Sequence, residues 1–232
     1  MSLADPRNPT SLSYRLRSRR DVRLRSLIEA IHASSGRVKI VDLGGSVDYW
    51  RRVGFAFLRE KLADVTLINI DPTELKAEDA PPGLFQSRQA DACRLDEFDD
   101  ASFDLAHSNS VIEHVGSWSN MKSFAGETRR VGRNYYIQTP YFWFPFDPHF
   151  YVFPMFHWLP NSLRTKLLNA LPIAHAGRIP GVDMANEVID HTRLLDSAQF
   201  RFLFPDAAMS FERVLGLPKS MVAIRAIDGF SR

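Results

Sequence analysis

Leu24, Leu27, Ile28 and Ile31 recur at i, i+3, i+4 and i+7, the period of one helix face, and the run stops at Ser34-Ser35-Gly36. Val38 to Leu43 reads as a buried strand, Gly44-Gly45-Ser46 as a tight turn, and Trp50, Val53, Phe57, Leu58 and Leu62 predict one helix over Tyr49 to Leu62. A second strand, Val65 to Ile70, is closed by Asp71-Pro72, because proline cannot donate to a ladder. Strands follow at Phe85 to Asp91, Phe103 to His107 and Asn134 to Gln138, with a helix from Asn120 to Val131. Strands alternating with helices imply crossover connections and a mostly parallel sheet covered on both faces.

Residues 141–185 break that rhythm. Aromatic side chains crowd between Pro140, Pro145, Pro148, Pro154 and Pro160, and a short helix, Ser162 to Leu171, follows. The alternation returns with a helix around Thr192 to Phe204 and two strands, Met209 to Leu215 and Ser220 to Ile227, joined at Gly216-Leu217-Pro218. The expected organisation is an Arg-rich helical segment over 1–36, a core over 37–140, an aromatic insertion over 141–185, and a completion of the sheet over 186–232. The insertion reads as a lid over an acceptor, or as a hydrophobic subdomain or homodimer interface.

Composition changes this picture little. Of 232 residues, 45% are apolar and 24% charged, values of a folded globular protein. A single cysteine, Cys93, excludes an internal disulfide or a multi-thiolate metal centre. The start lacks the apolar region of a secretory signal and no charge-free run reaches the length of a membrane span, so the expected location is cytoplasmic. Net charge is +2, but seven arginines face two aspartates in the first 25 residues. That excess fits a solvated helix face, or contact with phosphate in RNA or lipid headgroups.

In an open parallel sheet, ligands bind beyond the carboxyl ends of the strands. There the chain places Asp42-Leu43-Gly44-Gly45-Ser46, whose small residues admit a close ligand. One crossover later comes Asp71, an acid able to accept from vicinal ribose hydroxyls. The turn lacks G-x-G-x-x-G, and Asp42 disfavours a pyrophosphate while favouring a cationic ligand such as an ammonium or sulfonium. A glycine turn with a ribose acid indicates a nucleoside cofactor.

The run Val-Asp-Leu-Gly-Gly, Asn-Ile-Asp-Pro, Ala90-Asp91-Ala92, then Phe103 through Val115 resembles class I S-adenosylmethionine-dependent methyltransferases of the type 11 group. The resemblance implies a Rossmann-like seven-stranded, mostly parallel sheet with a carboxyl-terminal antiparallel hairpin. It implies S-adenosylmethionine as cofactor, with Asp42, Gly44 and Gly45 along its methionine part, Asp71 on the ribose and Pro72 beside the adenine. Asp91 and Ala92 would meet the adenine edge, while Asn109 and Ser110 would line the methionyl side. Ser46 stands where the family usually has another glycine.

A hydroxyl acceptor needs a base, and His107, His114, His149, His157 and His191 are the candidates. His114 follows the fourth strand and His149 lies in the aromatic insertion, so these two are the expected catalytic residues. An Asp/Asn-Pro-Pro-aromatic run is absent after the fourth strand, and Cys93 lies elsewhere, which argues against methylation of exocyclic adenine or of cytosine carbon 5. No Asp/Glu/His cluster stands out in the sequence, so no metal is expected, although carboxylates dispersed along the chain stay open. The expected activity is methyl transfer to a small-molecule or glycan/lipid-linked acceptor at oxygen. The alternatives are an RNA methyltransferase and a non-catalytic adenosyl-ligand-binding protein.

Overall fold

The computed structural model describes residues 12–75, 80–150, 153–174 and 177–226, with side chains from Arg20 onward. In chain order the elements are α1 (Leu12–Ser35), β1 (Val38–Leu43), α2 (Val47–Val53), α3 (Phe55–Glu60), β2 (Ala63–Asn69), β3 (Phe85–Gln89) and β4 (Phe103–Asn109). They continue with α4 (Trp118–Val131), β5 (Gly132–Pro140), α5 (Asn161–Ala170), α6 (Val182–Asp190), α7 (Ser197–Leu203), β6 (Ala208–Val214) and β7 (Leu217–Arg225). Single 3₁₀ turns lie at Ile112–His114 and Phe156–Trp158.

The strands form one seven-stranded sheet in the order β3-β2-β1-β4-β5-β7-β6. β1 pairs in parallel with β2 from Val38↔Ala63 to Leu43↔Ile68, and β2 with β3 from Val65↔Phe85 to Asn69↔Gln89. β4 flanks β1 on its other side, also in parallel, with Asp42 opposite His107. The order reverses between β1 and β4, the switch point at which this class of sheet opens a crevice. β6 and β7 are antiparallel, with a bulge at Glu212/Arg213. The expected mostly parallel sheet with a terminal hairpin is thus what the chain builds.

Two details depart from the periodicity. The helix expected over Tyr49 to Leu62 is two helices, because Gly54 takes φ 110° and ψ 113° and ends α2. α6 was not expected: it is nine residues long, and its buried Ala185 and Ile189 acquire meaning only through the cluster they join.

The chain divides into two compact units. The first runs from α1 through His107 and includes residues 128–136 and Arg225; the second comprises 108–127 and 137–224. The first buries Ile40, Val41, Leu43, Val65, Leu67, Ile68, Leu105 and Ala106 in the sheet. Leu24, Leu27, Ile28 and Ile31 of α1 are buried as their spacing predicts. Asp21 of α1 is buried and accepts from Arg52 Nε of α2 at 2.6 Å. In the second unit Phe150, Phe156, Leu168, Ile173, Ile179, Ala185 and Ile189 form a separate apolar cluster. The aromatic insertion therefore has a core of its own, shared with α5 and α6. No described helix is long and apolar enough to cross a membrane.

Candidate functional site

Parallel register carries three of the expected cofactor segments to one edge of the first unit. Gly44 N–H donates to Ile68 O at 2.7 Å, extending the β1–β2 ladder into the glycine turn, and Ala90 N–H donates to Asn69 O at 3.2 Å. The turn after β1, Asp71 and Pro72 after β2, and Asp91 and Ala92 after β3 thus follow the carboxyl ends of adjacent strands. Asp71 is exposed, and its Oδ1 accepts from the Thr73 amide at 2.8 Å and the Thr73 hydroxyl at 2.7 Å. Asp91 is also exposed, with Oδ1 accepting from the Cys93 amide at 2.8 Å. Both carboxylates are fixed in Asx-type turns, which aims them without withdrawing them from solvent.

Within the turn, Gly44 has φ 73° and needs glycine, whereas Ser46 is extended at φ −137° and caps α2 without a side-chain bond. The missing third glycine therefore imposes no strain here. Asp42 behaves differently from an exposed ligand group. It is 1% exposed, its Oδ2 accepts from Trp50 Nε1 at 2.7 Å, and its Oδ1 lies 2.6 Å from His107 Nδ1. Tyr49 and Trp50 crowd the His107 ring, with centroids at 4.5 and 5.1 Å. A β-carbon on Gly45 would fall 1.8 Å from Asp42 Oδ2. The second glycine thus has an internal reason, the close approach of the Asp42 carboxylate.

Asn109 ends β4, and Ser110 turns the chain with φ 56° while its hydroxyl donates to Gln138 Oε1 at 3.0 Å. The following 3₁₀ turn carries Glu113 and His114. Glu113 is fully buried; its Oε2 accepts from Thr139 Oγ1 at 3.0 Å, and its backbone carbonyl accepts from the Arg193 amide at 2.9 Å. Burial pushes the Glu113 carboxyl up to about 7, opposed chiefly by its own backbone hydrogen bond and then by His149.

His114 Nδ1 lies 2.8 Å from the His191 carbonyl, and His149 Nδ1 lies 2.7 Å from Asp147 Oδ1. The two Nε2 atoms face each other at 3.1 Å, with the rings at 88°. His114 keeps solvent access, yet the protein around its ring lowers its pKa, with His149 the next cause. The two histidines expected to be catalytic are therefore brought together, and with them Glu113, all three ligand atoms lying within 4.8 Å of one another. Reading the sequence for clustered metal ligands missed this group, since His149 is 35 positions from His114. The adjacent pair Glu113-His114 was its only local signal. Asp147, fully buried beneath His149, was also missed.

The remaining histidine candidates have structural roles. His107 is enclosed with Asp42, His157 Nε2 lies 2.7 Å from the Phe142 carbonyl, and His191 Nδ1 lies 2.9 Å from the Glu187 carbonyl. In the aromatic insertion Trp143 and Phe146 stay exposed, at 57% and 48%. A polar cavity of about 280 Å³, lined by Arg37, Lys39, Asp104 and Arg133, lies at the amino ends of β1, β4 and β5, the edge opposite the glycine turn. It is remote from the strand-end acids and plays no part in their chemistry.

Residues 52–134 match a family model described as methyltransferase domain. No curated protein matches the chain. Among solved structures, the trans-methyltransferase CalH in complex with SAH superposes with a TM-score of 0.57 at 10% identity, over 97% of this chain and 61% of that one. A possible exported protein from Bordetella parapertussis gives 0.53 at 14% identity, over 88% and 68%. An O-methyltransferase family protein from Burkholderia thailandensis gives 0.51 at 12% identity, over 91% and 57%. The chain therefore has the class I S-adenosylmethionine-dependent methyltransferase fold, with a methyltransferase domain matched over residues 52–134.

Proposed function

We propose that this chain transfers a methyl group from S-adenosylmethionine to a small-molecule or glycan-type acceptor, at oxygen. The observation that carries the reading is the arrangement of the glycine turn, Asp71 and Asp91 after three parallel strands in register. The donor set fits the cofactor: two exposed carboxylates suit a ribose diol and an adenine amino group. When bound, the cofactor supplies a sulfonium methyl for in-line displacement.

Asp71 accepts from the ribose hydroxyls beside Pro72, and Asp91 with Ala92 meets the adenine. Gly44 and Gly45 present backbone to the methionine part. Asp42 acts from within, since its carboxylate is held by Trp50 and His107 and shapes the turn rather than reaching a ligand. His114 and His149 handle the acceptor hydroxyl and its proton. Trp143 and Phe146 offer exposed ring faces suited to an apolar or ring-bearing acceptor.

The RNA alternative loses one of its cations: Arg25 Nη1 donates to the Val53 carbonyl at 3.2 Å, and its guanidinium lies 4.2 Å over the Phe57 ring. Calorimetry tests the main reading. S-adenosylmethionine and S-adenosylhomocysteine should bind and NAD should not. Asp71→Ala should weaken binding at least tenfold, because each hydrogen bond to a charged acceptor is worth about 1.5–3 kcal/mol. Unchanged affinity in that variant would remove Asp71 from the ribose.

A further inference from the structure

The hydrogen bonds around the histidine pair fix its tautomers. The His191 carbonyl can only accept, so His114 carries its proton on Nδ1 and presents a lone pair at Nε2. The Asp147 carboxylate likewise accepts from His149 Nδ1–H, which leaves a lone pair at its Nε2. Two lone pairs then face each other at 3.1 Å. They repel unless something electrophilic lies between them, either an extra proton or a metal ion.

Three features favour the ion. First, nitrogens sharing one ion through bonds of about 2.0–2.1 Å stand about 3.0 Å apart at right angles and about 3.3 Å apart at the tetrahedral angle, which brackets the observed spacing. Second, Glu113 supplies a third donor, and its buried Oε1 has no hydrogen-bond partner among the described residues. A shared proton would account for the histidine spacing and leave that oxygen unsatisfied, a costly state for a buried carboxyl. Third, each Nδ1 is anchored on an oxygen acceptor, one carbonyl and one buried carboxylate, the outer-shell arrangement that orients metal-bound imidazoles.

We propose that Glu113, His114 and His149 form a binding site for a divalent first-row transition-metal ion. Two imidazoles with one carboxylate suit such ions, whereas Mg²⁺ and Ca²⁺ prefer all-oxygen sets. Three protein ligands leave a coordination position open, as in catalytic rather than structural centres. Within the transferase reading, that position polarises the acceptor hydroxyl; with the ion bound, the two histidines hold the ion and the hydroxyl proton leaves to solvent. This last step rests on that reading; ion binding does not.

The test uses the full chain stripped with a chelator, with Co²⁺ as a spectroscopic probe and Zn²⁺ as competitor. One Co²⁺ per chain should bind, giving visible d–d absorption without the near-ultraviolet thiolate band that Cys93 would produce, and Zn²⁺ should displace it. His114→Ala and His149→Ala should each weaken Co²⁺ binding at least about 100-fold. His114 is exposed, so its variant is expected to fold, which circular dichroism checks. A folded wild-type chain that binds no stoichiometric Co²⁺, or variants that bind it as tightly as wild type, would overturn the site. S-adenosylhomocysteine binding is measured on the same samples. Cofactor binding without Co²⁺ overturns the metal site alone; Co²⁺ binding without the cofactor supports the site and overturns only the transferase reading.

Discussion

Gly45→Ala is the sharpest probe of how the glycine turn is built. The new β-carbon would lie 1.8 Å from Asp42 Oδ2, 2.1 Å from Cγ and 2.8 Å from Cβ, so the carboxylate must swing away. In doing so it abandons Trp50 Nε1 at 2.7 Å and His107 Nδ1 at 2.6 Å, both on side chains with no solvent access. Two hydrogen bonds to a charged group, at about 1.5–3 kcal/mol each, put the loss at about 3–6 kcal/mol. Asp42→Ala forfeits the same bonds and should cost a similar amount. With the carboxylate gone, however, Gly45→Ala meets only the residual contact with the residue 42 β-carbon. Its cost should fall to about 1 kcal/mol, as for a modest steric shift. Urea unfolding of wild type, both single variants and the double variant closes the cycle. Single-variant costs that add within about 0.5 kcal/mol would show that Gly45 is not there for Asp42, and the account of the turn would fail.

Glu113 predicts a pH dependence of stability in chelator-treated protein. Its folded pKa is raised from 4.5 to about 7, so the folded state holds the proton more tightly and loses about 3 kcal/mol as pH rises through that window. Glu113→Gln cannot ionise and should lack this slope; parallel stability curves from pH 5 to 8 would contradict it. Asp21→Ala leaves the half-enclosed Arg52 without its partner at 2.6 Å and should cost about 3 kcal/mol in thermal or urea unfolding. A cost under about 0.5 kcal/mol would mean the α1–α2 pair is merely superficial. Trp143→Ala and Phe146→Ala should lower turnover of the acceptor while leaving S-adenosylhomocysteine affinity within twofold, because both rings are exposed. Loss of cofactor affinity in a folded variant would assign them a different role.

Local sequence determined the elements that local physics controls. The segment Val38 to Leu43 is buried at every position but Lys39, and β1 has those bounds. The α1 stripe is buried where its spacing places it, and β2 ends at Asn69, one residue before Asp71-Pro72. Glycine at position 44 also announced its turn, since φ 73° is open to few other residues.

What the chain order could not contain is which distant groups meet. Asp42 reads as a ligand for a cationic cofactor until β4 pairs beside β1 and sets His107, 65 positions away, opposite it. Parallel register then turns the acid inward and gives the neighbouring glycine its purpose. The Glu113, His114 and His149 group arises in the same way. A 3₁₀ turn after β4 delivers two adjacent donors and a loop from the aromatic insertion the third, with no shared period between them. Periodicity encodes which face of an element is buried; only packing between elements decides which polar atoms are buried together, and with them the chemistry of the site.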